Sequence, residues 1–196
     1  SAIAMDVRPG PLSRARENIS RYGLEDYIET RLSDGLTKLE PGEGDTLVIA
    51  GMGGPLMERI LNEGAKVREG FQELILQPQS ELAKVRRYLE EHRFRIVAED
   101  MVEEDGKYYP MMKVIPTEQK GLYVEGVPAA EEELEYGKYL LEKGHPVMGE
   151  YLKKELSVNQ GVYEKLRVQE SERTKERSAE VLHMIKRAED LLDRYF

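Results

Sequence analysis

At 196 residues, 40% of them hydrophobic, the chain is long enough to bury a core, and its composition excludes a disordered polypeptide. The net charge of −9 argues against a protein that coats nucleic acid generally, since such binding rests on Lys and Arg neutralising phosphates, while leaving room for a local basic patch. No apolar run approaches the ~18 residues of a membrane span. The lack of cysteine fits a cytoplasmic protein, and three scattered histidines, His92, His145 and His183, form no metal-site pattern.

Residues 2–7 (Ala-Ile-Ala-Met-Asp-Val) predict a buried strand that ends in an acid; Pro9-Gly10-Pro11 breaks it. Leu12, Ala15, Ile19 and Tyr22 then recur at helical spacing until Gly23. Residues 27–32 predict a second strand running into the turn Ser33-Asp34-Gly35, with a helical turn over 36–39. Residues 47–50 are a short, β-branched apolar run, the pattern of a parallel strand covered on both faces. Gly51, Gly53, Gly54 and Pro55 follow at once and lead into a helix over Leu56, Ile60 and Leu61. A further strand over 73–76 closes at Gln77-Pro78-Gln79, and Ser80 is placed to cap a helix over 81–92. Strands over 94–102 and 107–115 flank Asp105-Gly106, a hairpin signal. The expected class is α/β: a mostly parallel sheet with helices on both faces, closed by an antiparallel hairpin. Residues 117–130 predict a linker between a domain at 1–116 and a helical domain at 131–196. In the latter, a helix over 131–143 breaks at Gly144-His145-Pro146 and precedes an antiparallel, coiled-coil-like pair over 147–168 and 172–195.

The chemistry-bearing residues fall at the ends of successive strands. Asp6 suits hydrogen bonds from ribose hydroxyls, or equally the positive end of the following helix. Asp34 can accept from an amino group, with Gly35 clearing room for a ring, or it is an ordinary Asp-Gly turn. The glycines after Ala50 let backbone approach a ligand, or they make a tight strand-to-helix turn.

These segments resemble the TrmK-type bacterial tRNA adenine-N1 methyltransferases. The likeness rests on Ala2-Ile-Ala-Met-Asp-Val with Gly10-Pro11, Arg31-Leu32-Ser33-Asp34-Gly35-Leu36, Ile49-Ala50-Gly51-Met52-Gly53-Gly54, Leu74-Ile75-Leu76-Gln77-Pro78-Gln79 and Gly106-Lys107-Tyr108-Tyr109. It covers residues 1–116 in order and continues into the two-helix tail. The resemblance implies a Rossmann-like class I sheet, S-adenosylmethionine as cofactor and tRNA, at its adenine 22, as substrate. It implies that Asp6 and Val7 bind the ribose, Asp34 and Gly35 the adenine, and Ala50, Gly51, Met52, Gly53 and Gly54 the methionine end and the target base. Gln77 and Gln79 would orient the base edge and Tyr109 would stack on it, unless Tyr109 is a core aromatic. The Asn/Asp-Pro-Pro-Tyr of amino-methylating enzymes is absent, which suits a ring nitrogen that carries its own lone pair.

The family also carries, ahead of the position of Ala2, a strand and a loop resembling Gly-x-Asp-His-Ala-Tyr-Leu-Pro, which supplies its suspected catalytic acid. No catalytic residue is therefore assigned to this chain. In the family's sheet that strand lies between those of residues 2–7 and 47–50, so the gene product is expected to continue upstream by at least one strand–helix unit of roughly 30 residues. Cations including Lys153, Lys154, Lys165, Arg167, Arg173, Lys175, Arg177, Lys186 and Arg187 make the tail a candidate to share in tRNA binding, although residues 146–196 hold ten Asp/Glu against ten Lys/Arg. A nicotinamide-dependent oxidoreductase would need a Gly-x-Gly-x-x-Gly after the first strand, which is missing. The remaining alternative is a non-enzymatic α/β domain with a helical hairpin that binds RNA or protein.

Overall fold

Strand β1 (Ala2–Asp6) gives way within two residues to helix α1 (Pro9–Arg21), because the fixed φ of Pro9 suits a first helical turn and its missing N–H costs nothing there. Pro9-Gly10-Pro11, expected only to break the strand, is thus the start of the helix. Leu12 and Ile19 are the buried residues of α1, and Tyr22, expected on the same face, is 68% exposed. The structure, a computed structural model, describes residues 1–168 and 172–196, with side chains at 1–168 and 174–196. Contacts divide the chain into two units, Ser1–Val97 with Met112–Ala129, and Ala98–Met111 with Ala130–Phe196.

In the first unit β1 pairs in parallel with β2 (Ile28–Leu32), from Ala2 opposite Ile28 to Asp6 opposite Leu32. A second sheet has the order β3 (Thr46–Met52), β4 (Glu73–Pro78), β6 (Lys107–Pro116), β5 (Phe94–Glu104). Pairing is parallel between β3 and β4 and antiparallel between β4 and β6. No ladder joins β1 to β3 among the described residues, and this is the gap where the family's further strand is expected. Burial corrects one expectation. Leu47 and Ile49 are buried but Val48 is 63% exposed, because only one face of β3 is covered, and β1 has no fully buried residue.

Helices α2 (Gly54–Glu63), α3 (Ala65–Arg68) and α4 (Leu82–Glu91) complete this unit. Helix α2 turns Met57, Ile60 and Leu61 inward and leaves Leu56 partly exposed. They share a core with Leu74, Leu76, Val85, Leu89, Ile96 and Val114. The cap of α4 is Glu81 at φ 54°, whose side chain does not cap the helix and instead pairs with Lys84. Ser80, expected as that cap, instead accepts the Gly54 N–H at 3.3 Å through Oγ, serving the first turn of α2. Within residues 117–129, positions 121–123 are packed: Leu122 is fully buried, Tyr123 nearly so, and the Ile96 N–H donates to the Leu122 carbonyl at 2.7 Å.

In the second unit the tip of the β5–β6 hairpin turns on Asp105 (φ 51°) and Gly106 (φ 74°), the two positive values that a two-residue turn requires. Residues 131–143, expected as one helix, form two, α5 (Glu131–Tyr136) and α6 (Lys138–Glu142). Gly137 stands between them at φ 92°, outside helical geometry. Helices α7 (Pro146–Leu166) and α8 (Glu172–Tyr195) run antiparallel, with Gly149 near the start of α7 against the Phe196 ring, and Tyr163 and Ala179 lining one groove at the other end. Their core comprises Met101, Tyr136, Leu140, Leu141, Met148, Leu152 and Leu191. Among the described residues no helix is long and apolar enough to cross a membrane.

Candidate functional site

The carboxyl ends of β1 to β4 carry the polar groups. At the end of β1, Asp6 Oδ1 accepts the Arg8 N–H at 2.7 Å, which fixes the carboxylate at the mouth of α1. The Ser33 N–H donates to the Asp6 carbonyl at 3.0 Å, so the loops after β1 and β2 are held side by side. Among the described residues no donor reaches Asp6 Oδ2. Val7 beside it is exposed.

After β2, the nearly buried Ser33 donates through Oγ to the Gly35 carbonyl at 2.8 Å and accepts the Lys38 N–H at 3.2 Å, bracing the turn that presents Asp34. Gly35 has φ 55°, and a β-carbon there would meet Ile60 of α2 at 3.1 Å. The Asp34 carboxylate receives two hydrogen bonds from Arg59 of α2, 2.8 Å to Oδ1 and 3.3 Å to Oδ2. Arg59 donates also to Glu63, at 2.9 Å. Hydrogen bonds from this guanidinium, and its charge, hold the Asp34 carboxyl below the usual aspartate range.

The glycine loop has two different parts. Gly51 is exposed, sits at φ 74°, and falls where the β3–β4 register slips, so it is a bulge that turns backbone outward. Its N–H donates to Gln77 Oε1 at 2.8 Å, and the Gln79 N–H donates to the Met52 carbonyl at 2.8 Å. Gly53 and Gly54 are glycines for packing: a β-carbon on Gly54 would lie 2.7 Å from the Ser80 carbonyl oxygen and 3.0 Å from Val85. The alternative of a tight strand-to-helix turn thus describes these two, and Ala50 and Gly51 form the exposed portion.

The structure separates the candidates for contact with the base. Both ends of the Gln77 amide are engaged, the oxygen by Gly51 and the nitrogen by the Pro78 carbonyl at 3.3 Å, so Gln77 braces the loop. Gln79 is exposed, with its amide nitrogen 3.9 Å from where a Gly51 β-carbon would stand. Tyr109 is half-buried on the part of β6 that belongs to the second unit. Sequence reasoning missed Ser33 and Arg59. The serine of Ser-Asp-Gly is a turn signal in its own right, whereas the partner of Asp34 lies 25 residues away and leaves no local trace. Among the described residues, no three His, Asp or Glu side chains gather as a metal site.

Acids and an opened glycine loop at the carboxyl ends of parallel strands, with helices following β1, β3 and β4, define a Rossmann-like α/β protein. A family model described as TrmK, tRNA (adenine(22)-N(1))-methyltransferase, matches residues 1–190, and the chain belongs to that family. It is 30% identical over 193 residues to the tRNA (adenine(22)-N(1))-methyltransferase of Bacillus subtilis (strain 168), covering 98% of this chain and 80% of the relative. Among solved structures, Sp1610 of Streptococcus pneumoniae in complex with S-adenosyl-L-methionine is 30% identical with a TM-score of 0.81, covering 98% of this chain and 81% of that one. A Listeria monocytogenes serotype 4b protein is 30% identical with a TM-score of 0.87, covering 97% and 81%.

Proposed function

We propose that this chain, in the cytoplasm, takes part in the transfer of a methyl group from S-adenosylmethionine to N1 of adenine 22 in tRNA, and that Asp6, Asp34 and the Gly51 loop hold the cofactor. The observation that carries the assignment is the side-by-side placement of the loops after β1 and β2, with a carboxylate oxygen of Asp6 left for hydroxyl donors. The residues fit that group. Oδ2 of Asp6 can take the ribose hydroxyls, and Asp34 keeps lone pairs for an amino group after accepting from Arg59. Gly51 brings exposed backbone to the carboxyl end of β3. Val7 and Gly35 flank the two acids, and Ala50, Met52, Gly53 and Gly54 shape the loop. When bound, the cofactor supplies a methyl group on a positively charged sulfur, an electrophile for the lone pair of adenine N1. The chain's own work is alignment: Gln77 holds the loop in place, and exposed Gln79 presents an amide to the edge of the incoming base. In the tail, Lys153, Lys165 and Lys186 are exposed and make no ion pair among the described residues, which supports a share in holding tRNA. Isothermal calorimetry with S-adenosylmethionine tests the site. Asp6→Ala should weaken binding by roughly 1–3 kcal/mol, the cost of hydroxyl donors left without an acceptor. Unchanged affinity would sink the ribose assignment.

A further inference from the structure

We infer that α1 is a docking surface for the phosphate backbone of the tRNA, through Arg8, Arg14, Arg16 and Arg21; this rests on the functional reading above. In a chain of net charge −9, residues 8–21 hold four arginines and a single acid, Glu17. All four arginines are exposed. Several arginines elsewhere are spent on carboxylates: Arg31 on Glu29 and Glu43, Arg59 on Asp34 and Glu63, Arg187 on Glu135, Arg194 on Glu132. No ion pair is made by the α1 arginines among the described residues. Arg16 is held by one hydrogen bond from Nε to Thr30 Oγ1 at 2.8 Å, which aims the rest of its guanidinium without neutralising it. A guanidinium with free N–H groups is matched to phosphate oxygens, in bidentate geometry.

Position adds to charge. Arg8 follows Asp6 by two residues, so the basic strip begins at the strand edge that carries the cofactor residues. From there the 13 residues of α1 run about 20 Å. The strip ends at Arg21, whose guanidinium lies 5.7 Å from the centre of the Tyr22 ring. Tyr22 and Tyr27 are 68% and 63% exposed, large rings without a core role. Arginine beside exposed aromatic rings is the chemistry that takes an RNA backbone together with a base or ribose face.

The test is tRNA affinity as a function of salt for the full chain and for Arg14→Gln/Arg21→Gln, two exposed positions outside the cofactor site. Two lost phosphate contacts should weaken tRNA binding on the order of tenfold and flatten the slope of log K against log salt by about 1.4–1.8. S-adenosylmethionine affinity and melting temperature should not move, and Arg14→Lys/Arg21→Lys should recover most of the loss. In the parent chain, bound tRNA should shield Arg14 and Arg21 from a dicarbonyl reagent that modifies arginine. An unchanged salt slope, or unshielded arginines in the tRNA complex, would overturn the assignment of α1 and leave the cofactor reading intact. A parent chain that binds neither tRNA nor S-adenosylmethionine would instead overturn the functional reading itself.

Discussion

Gln77 accepts the Gly51 N–H through its side-chain oxygen at 2.8 Å, so the loop after β3 is held by the end of β4. The bond spans two strand ends and locks a bulge whose positive φ no ladder hydrogen bond maintains. Gln77→Ala should loosen the loop and weaken S-adenosylmethionine binding by about 1 kcal/mol, the net worth of one hydrogen bond. Gln77→Glu, which keeps an acceptor, should retain most of the affinity. Calorimetry on both variants decides; equal losses would mean that Gln77 acts by direct contact and not as a brace.

Two glycine-to-alanine changes should move stability in opposite directions. At Gly54 the new β-carbon meets a backbone oxygen at 2.7 Å, and overpacking of that kind costs about 1–3 kcal/mol. At Gly161, inside α7 with nothing within 4 Å, alanine should stabilise by about 1 kcal/mol through helix propensity. Urea denaturation of the two variants measures both, and a stabilised Gly54→Ala would refute the packing argument.

Acid titration should expose Glu155 in the helical unit. Burial raises its pKa above the ordinary 4.5, and the Glu135 charge adds to this, while the Tyr136 hydroxyl, donating at 3.4 Å, and Arg187 oppose it. Its Oε2 is buried without a partner among the described residues. An acid with a raised folded pKa binds a proton more tightly when folded. The protein should therefore lose stability as pH rises from 4.5 through the folded value and show no further loss from this group above it. Glu155→Gln keeps an acceptor for Tyr136 and removes the charge. Melting temperatures between pH 4.5 and 7.5 should then be higher at neutral pH and flatter with pH than in the parent; a steeper dependence would reverse the sign argued here.

The Asp34 carboxyl should titrate differently once Arg59 is gone. Arg59→Ala removes the hydrogen bonds and charge that hold it down, so its midpoint should rise toward the ordinary 3.8. Carboxyl carbon shifts followed by NMR report this midpoint directly. A midpoint that stays depressed would mean another group stabilises the anion.

Much of the strand order was legible because it is written locally. The β-branched run at 47–50 and the Asp105-Gly106 turn each contain their own cause. The placement of Asp6, Asp34 and Gly51 at strand ends could likewise be read from turn residues that follow apolar runs. What could not be read depends on partners distant in the chain. Ser80 looks like a cap for the helix that follows it, but the first turn of α2 comes close enough to claim its hydroxyl. Gln77 reads as a base reader until Gly51 is seen to occupy it. Gly137 looks like a tolerated helix glycine, and only its φ of 92° shows that it separates two helices. The exposure of Val48 is a matter of what covers a face, about which a strand's own residues are silent.

The β5–β6 hairpin gives its base to one unit and its tip, Ala98–Met111, to the other. No single cut of the polypeptide can therefore separate the two. Exchanging the helical part between relatives by joining gene segments end to end would leave the resident hairpin tip, which gives Met101 to the helical core, facing foreign helices. The tail and this 14-residue hairpin tip are thus one packing unit built from two stretches of chain, and a substitution in either is felt by the core they share.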